Sequence, residues 1–302
     1  MLAIDKLKEV SAFLETKGID DPAKEAEMLI IEALLKNQLQ VLSFKFQDQK
    51  RIKAKIYAGD LNIDDETLLL IDNFAERRAH GEPLQYISGH VEFLGLIINV
   101  GKGVLIPRPE TELLAEEAIK LLKETTPLSK GGQGGVNVLD LCTGSGCIAL
   151  ALAKYLPNVF AYGVDQSNAA LSYARQNALL NGIGNVSFFN GDLFAPVKGM
   201  CFDAIVSNPP YVKKGDILTL QREVRYYEPI EALDGGEDGL DFFRRIFVEA
   251  PMFLKEKGLL IMELGVNQSG AVEEFASKAG FGKIKFVKDY ASIERIFIGE
   301  LN

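Results

Sequence analysis

The chain has 302 residues, 47% of them hydrophobic, and a formal net charge of −9. That length and composition allow a large buried core, in one large domain or two. The acidic balance disfavours a bulk nucleic-acid binder, whose affinity rests on clustered Lys and Arg, and no apolar run reaches the ~18–20 residues that span a bilayer.

The amino terminus, MLAIDKLKEVSAFLETKG, carries acidic residues and helical spacing from its start. It lacks the basic end and apolar block of a signal peptide, so a cytoplasmic protein is expected. Cys142, Cys147 and Cys201 are few and odd in number, against a disulfide framework. With only His80 and His90 beside them, no metal centre is expected.

In chain order, residues 1–80 read as a small helical bundle. Leu7, Val10, Phe13 and Leu14 share one helix face. Asp21-Pro22 reads as a cap followed by proline at the first helical position, opening a helix with Ala26, Leu29, Ile30, Ala33 and Leu34 inward. A third long helix is expected from Asp64 or Asp65 to about Gly81, burying Leu68, Ile71 and Ala75. Nothing in this region carries chemistry, which leaves packing or partner docking as its role.

Residues 81–103 change character, with Gly and Pro punctuating short β-like runs at Val91–Phe93 and Leu96–Val100. They read as a hairpin or linker before a domain over 104–302. Ile106-Pro107-Arg108-Pro109-Glu110-Thr111 then leads into a helix expected from about Glu112 to Lys123. The glycine-rich loop TTPLSKGGQGG follows. From Val136 strands and helices alternate: VNVLDLC, CIALALAKYL, VFAYGVD, NAALSYARQNALLNG, VSFFNGD, FDAIVSN, GLDFFRRIFVEAPMFL and GLLIMELG. A last helix near Gly270–Lys278 precedes KIKFVKD and ERIFIGE, which read as an antiparallel edge. The pattern is an α/β domain with a mostly parallel sheet covered on both faces.

Four strand ends carry the candidate chemistry. Cys142-Thr143-Gly144-Ser145-Gly146 is a glycine-rich turn between a strand and a helix, where bare backbone and unpaired N–H groups can meet a ligand. Gly144-x-Gly146-x-x-Ala149 also fits the dinucleotide fingerprint, with Asp165 ending the next strand at the spacing of a ribose contact. Tight strand–helix packing alone also favours glycine, but together with Asp165 the turn points to a nucleoside-type cofactor. Asp192 ends the third strand, placed to accept from an adenine amino group while Leu193 covers the ring; a solvated turn aspartate is the plain alternative.

The fourth strand runs into Asn208-Pro209-Pro210-Tyr211. Two prolines hold this turn rigid. The Asn208 side-chain oxygen and the Pro209 carbonyl are two acceptors for a planar –NH2, and Tyr211 can stack on its face. An amide or aniline nitrogen is a weak nucleophile because its lone pair is delocalised. Two acceptors would orient it toward an electrophile by positioning and electrostatics, without a histidine base. The plain alternative is a Pro-Pro turn capped by Asn.

DLCTGSG, Asp165, GDLF and NPPY, in this order, resemble a class I S-adenosylmethionine-dependent methyltransferase acting on an exocyclic or amide nitrogen. RRAHGEPLQYISGHVEFLGL, LIPRPETELL and REVRYYEPIEALDGGEDGLDFFRRI narrow the likeness. With them, essentially the whole chain resembles the peptide-chain release factor glutamine methyltransferases, the HemK/PrmC family. The resemblance implies a Rossmann-like, mostly parallel seven-stranded sheet with an antiparallel edge, plus a small N-terminal helical bundle. It implies methyl transfer from S-adenosylmethionine to the side-chain amide N5 of the GGQ glutamine of release factors, leaving S-adenosylhomocysteine. By motif, Cys142 to Gly146 would form the cofactor loop, Asp165 would hold the ribose, and Asp192 and Leu193 would flank the adenine. Asn208, Pro209, Pro210 and Tyr211 would hold the substrate amide, with Asn208 also near the cofactor and Arg108 and Glu110 near the mouth. The bundle would help dock the GGQ-bearing domain; no membrane and no direct nucleic-acid contact are expected.

Two features stand apart from the family pattern. Cys142 replaces a common glycine, which a small side chain tolerates if its φ stays negative. Gly131-Gly132-Gln133 echoes the substrate motif, and a plain glycine-rich loop is the favoured reading over automethylation. The rival functions are a nucleic-acid adenine-N6 methyltransferase, which shares NPPY; a hydride-transfer Rossmann enzyme, which leaves NPPY unexplained; and a non-catalytic cofactor-binding regulator.

Overall fold

A computed structural model describes residues 1–38, 46–125 and 135–302, so Gln133 and its loop lie outside the described residues. The described chain divides into two units, Met1–Gly89 with Arg222–Tyr227, and His90–Gln221 with Glu228–Asn302.

The first unit is helical. It comprises α1 (Ala3–Thr16), α2 (Pro22–Gln38), α3 (Phe46–Ala58), α4 (Asp65–Ala79) and α5 (Leu84–Ser88). In chain-order numbering, Arg222–Tyr227 is α9. Leu7, Val10 and Leu14 of α1 share one core with Leu29, Ile30 and Leu34 of α2 and with Ile71 and Phe74 of α4. Asp64 caps α4 by accepting the Thr67 N–H at 2.7 Å, a contact worth about 1 kcal/mol. Asp21 differs from the expected cap: its φ of 51° is left-handed, and it serves α2 through its carbonyl, which accepts the Lys24 and Glu25 N–H groups. Within the expected helical bundle, α3 is the helix that no apolar face singles out, because FQDQKRIKAKIYA is largely polar. It anchors through Ile56, which is fully buried, and Ile52, which packs at the edge of the core.

Arg78 is one of the buried charges of this unit, alongside Lys6, Glu27 and Glu32. It pairs with Glu25 of α2 and, at 2.8 Å, with Glu223 of α9. Carboxylates on two sides avoid the several kcal/mol cost of an unpaired buried guanidinium.

The second unit opens with β1 (His90–Phe93) and β2 (Leu96–Asn99), an antiparallel hairpin. Leu94 and Gly95 both take positive φ, 47° and 68°, the signature of a tight turn matched to strand twist. The helix α6 (Pro109–Thr125) starts earlier than expected, with proline at its first position.

The remaining elements are β3 (Val136–Leu141), α7 (Cys147–Tyr155), β4 (Val159–Asp165), α8 (Asn168–Leu180), β5 (Val186–Asn190), β6 (Phe202–Ser207), α10 (Asp241–Phe253), β7 (Leu254–Glu263), α11 (Ser269–Lys278), β8 (Phe281–Lys288) and β9 (Glu294–Leu301). The sheet has seven strands in the order β5-β4-β3-β6-β7-β9-β8. The strands β3 to β7 pair in parallel, whereas β9 pairs antiparallel with both β7 and β8. The antiparallel edge is therefore present, with its final strand inserted beside β7.

On one face Leu139, Leu141, Ile205, Leu260 and Met262 pack with Phe243, Ile246 and Phe247 of α10 and with Val272 and Ala276 of α11. The chain order reverses at β3, so the carboxyl ends of β3, β4 and β6 meet at one crevice. Ligands of open α/β sheets sit at such a switch point.

Candidate active site

A cavity of about 710 Å³ opens at these strand ends, within the ~300–1,000 Å³ range of ligand pockets. Its wall takes Cys142, Thr143, Gly144 and Ser145 from the loop after β3, Asp165 from β4, and Gly191 and Leu193 from the β5 end. Asn208 and Pro210 close it beside β6, and Val104, Pro107 and Thr111 come from the segment entering α6.

The loop after β3 is shaped by backbone that ordinary residues avoid. Gly144 has φ 54° and Gly146 φ 81°. A Cβ on Gly144 would meet nothing nearer than the Cys142 carbonyl at 4.0 Å, so the space before it is open. A Cβ on Gly146 would press on Ala174 at 3.0 Å and Phe188 at 3.1 Å. One glycine bares the loop to the cavity, and the other lets the loop close on the core.

Cys142 does not keep the negative φ that its side chain would prefer. Its φ is 58°, a left-handed conformation costing about 1–2 kcal/mol for an L-residue. The family's glycine would carry no such strain. Burial, reinforced by the charges of Asp165 and Asp140, raises the thiol well above its ordinary value. It is held as a neutral thiol, which suits a wall and disqualifies a nucleophile.

Asp165 braces the loop. Its Oδ2 accepts the Gly144 N–H and its Oδ1 the Ser167 N–H, each at 2.8 Å. Burial raises its pKa against the pull of these backbone donors, so a ligand hydroxyl donating to the carboxylate would be favoured. Beneath the loop Asp140 is fully buried, bonded through Oδ2 to Thr143 and to the Ala149 N–H. Among the described residues its Oδ1 has no partner, and burial lifts its pKa to about 7.

Asp192 departs from expectation. Leu193 lines the cavity, but Asp192 is exposed and its carboxylate is taken up at the surface. Gln166 donates to Oδ1 at 2.9 Å and Arg245 to Oδ2 at 2.5 Å.

Of the NPPY turn, Asn208 and Pro210 reach the cavity wall. Asn208 Nδ2 donates to Thr111 Oγ1 at 3.0 Å, and among the described residues neither Asn208 Oδ1 nor the Pro209 carbonyl is engaged. Tyr211, expected to stack on an amide, is instead largely buried, with its hydroxyl donating to Glu263 Oε1 at 2.9 Å. Thr111 donates to Glu263 Oε2 at 2.8 Å. Glu263 is fully buried, and burial pushes its pKa to about 7.

Thr111 and Glu263 were not singled out in the sequence. LIPRPETELL drew attention to Arg108 and Glu110, yet neither lines the cavity. Arg108 pairs at 2.5 Å with buried Glu228, which also accepts the Ile106 N–H at 3.2 Å. The pair therefore pins the segment that presents Val104 and Pro107.

The charge of the wall selects the ligand. Asp165, Glu231 and Asp234 line the cavity, and among the described residues no Lys, Arg or His does. Such a wall suits a ligand carrying sulfonium and ammonium charges and opposes a dinucleotide pyrophosphate. The hydride-transfer reading loses its support here.

A seven-stranded sheet with this switch-point cavity defines a class I S-adenosylmethionine-dependent methyltransferase. The family model "Methyltransferase small domain" matches residues 117–224, and "PrmC N-terminal domain" matches residues 5–89. The chain is 42% identical over 301 residues to the release factor glutamine methyltransferase of Thermodesulfovibrio yellowstonii, covering 99% of this chain and 98% of that one. It is 40% identical over 290 residues to the release factor glutamine methyltransferase of Geobacter sulfurreducens, covering 96% and 93%. Among solved structures, human methyltransferase 10 domain containing protein shares the fold at TM-score 0.50 and 16% identity, over 69% of this chain and 90% of that one. The chain belongs to the release factor glutamine methyltransferase family.

Proposed function

We propose that this protein methylates the side-chain amide nitrogen, N5, of the glutamine in the GGQ motif of a peptide-chain release factor. The observation that carries the reading is the open pair of acceptors, Asn208 Oδ1 and the Pro209 carbonyl, at the edge of a cavity with an anionic wall.

Bound S-adenosylmethionine supplies an electrophilic methyl group on a sulfonium. The loop from Cys142 to Gly146 would hold it through bare backbone at Gly144, Asp165 would accept from its ribose hydroxyls, and Leu193 would cover the adenine. The Asp192 carboxylate, bound to Gln166 and Arg245, is not placed to read the adenine unless those contacts open.

Asn208 Oδ1 and the Pro209 carbonyl would each accept one N–H of the glutamine amide. Acceptors on both hydrogens fix the plane of the –NH2 and draw the lone pair out of conjugation, which turns it toward the methyl group. The nitrogen gains the methyl and releases one proton to solvent, so no strong base is required of the wall. The partly buried Tyr211 ring would serve the turn from behind, by holding its carboxyl-terminal end to Glu263.

The helical unit would dock the GGQ-bearing domain. Translation termination places such an enzyme in the cytoplasm; among the described residues no helix is long and apolar enough to cross a membrane. The reading includes no direct contact with nucleic acid. Labelled methyl transfer to a purified release factor, and none to one whose GGQ glutamine is replaced, is the expected result. Equal labelling of both factors, or methylation of DNA instead, overturns the reading.

A further inference from the structure

We infer that Thr111 and Glu263 form a polarity relay that fixes which end of the Asn208 amide faces the substrate, and so act as positioning residues for the proposed transfer. The inference rests on the amide-acceptor role given to Asn208 above.

An asparagine amide is nearly symmetric in shape but opposite in function at its two ends. With Oδ1 toward the substrate it accepts an N–H; flipped, it presents a donor and repels the amide it should hold. The direction must be set by its neighbours. Asn208 Nδ2 lies 3.0 Å from Thr111 Oγ1, and that hydroxyl lies 2.8 Å from Glu263 Oε2.

A hydroxyl has one proton to give. Above its pKa of about 7 Glu263 is ionised and has only acceptors, so there Thr111 spends its proton on Oε2 and can offer Asn208 nothing but a lone pair. Asn208 must then point Nδ2 at Thr111 and Oδ1 away from it. The other carboxylate oxygen is occupied by the Tyr211 hydroxyl at 2.9 Å, so the carboxylate also ties down the far end of the same turn.

Burial makes the relay stiff. Thr111 is 2% exposed and Glu263 0%, leaving little solvent to offer substitute partners. Around the carboxylate, Glu110 from the first turn of α6 opposes ionisation and Arg295 from β9 favours it. The three elements meeting here, the start of α6, the end of β6 and the end of β7, are far apart in sequence. Two buried polar side chains joining them directly behind Asn208 are not needed for packing, since an apolar pair of similar shape would avoid the desolvation of a carboxylate.

The test uses the full chain, a purified release factor and labelled S-adenosylmethionine, with S-adenosylhomocysteine affinity measured separately. Thr111→Val, similar in shape but without the hydroxyl, is expected to lower kcat about tenfold or more. Thr111 lines the cavity, but valine keeps its shape and the loop and Asp165 are untouched, so cofactor-product affinity should stay within about threefold of wild type. Thr111→Ser, which restores the hydroxyl, should recover most of the rate. Glu263→Gln should lose rate as Thr111→Val does, since an amide offers one donor and one acceptor where the carboxylate offers two acceptors.

A Thr111→Val enzyme with kcat within about twofold of wild type overturns the relay. So does one whose rate falls only in step with product affinity or melting temperature, since a packing role would do that. A wild-type chain that labels no release factor overturns the functional reading and the relay with it, which separates the two failures.

Discussion

Alanine at the two loop glycines should produce opposite failures, although the positions are two residues apart and both have left-handed backbone. Each substitution places an L-residue at positive φ, 54° at Gly144 and 81° at Gly146, costing about 1–2 kcal/mol. At Gly144 that is the whole structural cost, because the new methyl meets no atom nearer than 4.0 Å. At Gly146 the methyl meets the Ala174 Cβ at 3.0 Å and the Phe188 ring at 3.1 Å, and such overpacking adds about 1–3 kcal/mol. At roughly 2–4 °C per kcal/mol for a domain of this size, Gly144→Ala should lower the melting temperature by a few degrees. Gly146→Ala should lower it about twice as far, by roughly 4–20 °C.

Binding should show the reverse pattern. Gly144 lines the cavity and Gly146 does not. The Gly144→Ala methyl fills space meant for the ligand and should weaken S-adenosylhomocysteine at least about tenfold, or about 1.4 kcal/mol. Gly146→Ala, assayed below its melting point, should bind within a few-fold of wild type. Thermal scanning fluorimetry and titration calorimetry give both quantities on the same samples. The account of the loop fails if Gly144→Ala binds like wild type, or if Gly146→Ala proves the more stable of the two.

Asp165→Ala removes the acceptor of both the Gly144 and Ser167 N–H groups; S-adenosylhomocysteine affinity in calorimetry should fall about tenfold or more, since a partly buried carboxylate bond is worth roughly 1.5–3 kcal/mol. Asn208→Ala should instead keep product binding nearly intact and reduce labelled transfer by about two orders of magnitude, as loss of one well-placed polar contact does; unchanged turnover would contradict its role. Stability should fall as pH rises from about 4 to about 8. Glu263 and Asp140 have ordinary values of 4.5 and 3.8 and sit at about 7 in the fold, so the folded chain keeps protons the unfolded chain releases. Their contribution is complete below the ordinary values and lost as pH climbs through about 7, on the order of 3–4 kcal/mol for each group. Urea unfolding of Glu263→Gln across that range should give a visibly flatter dependence, and an unchanged slope would refute the assignment.

What could be read from sequence was local. Strand–turn–helix alternation, the glycine loop and NPPY each declare themselves within a dozen residues, and the sheet and its antiparallel edge follow from them. Within the bundle, the helix α3 was not singled out because its polar composition hides a two-residue apolar anchor. The φ of Cys142 escaped because the loop's geometry is set by the packing of Gly146 on α8 and β5, which the residue's own identity does not reveal. Asp192 looked like a ligand contact because its strand end is right; only the structure shows Gln166 and Arg245 already holding it. Thr111 and Glu263 were the least legible. Their bonds cross sequence separations of 97 and 152 residues, and a threonine after Glu110 or a glutamate ending a strand is unremarkable by itself.

The most direct test of the central claim is peptide mapping by mass spectrometry of a release factor incubated with the purified protein and S-adenosylmethionine. A single added methyl group on the GGQ glutamine side chain, absent when Asn208→Ala replaces the wild type, is the predicted result. An unmodified GGQ peptide, or a methyl group found elsewhere on the factor, would contradict the assignment.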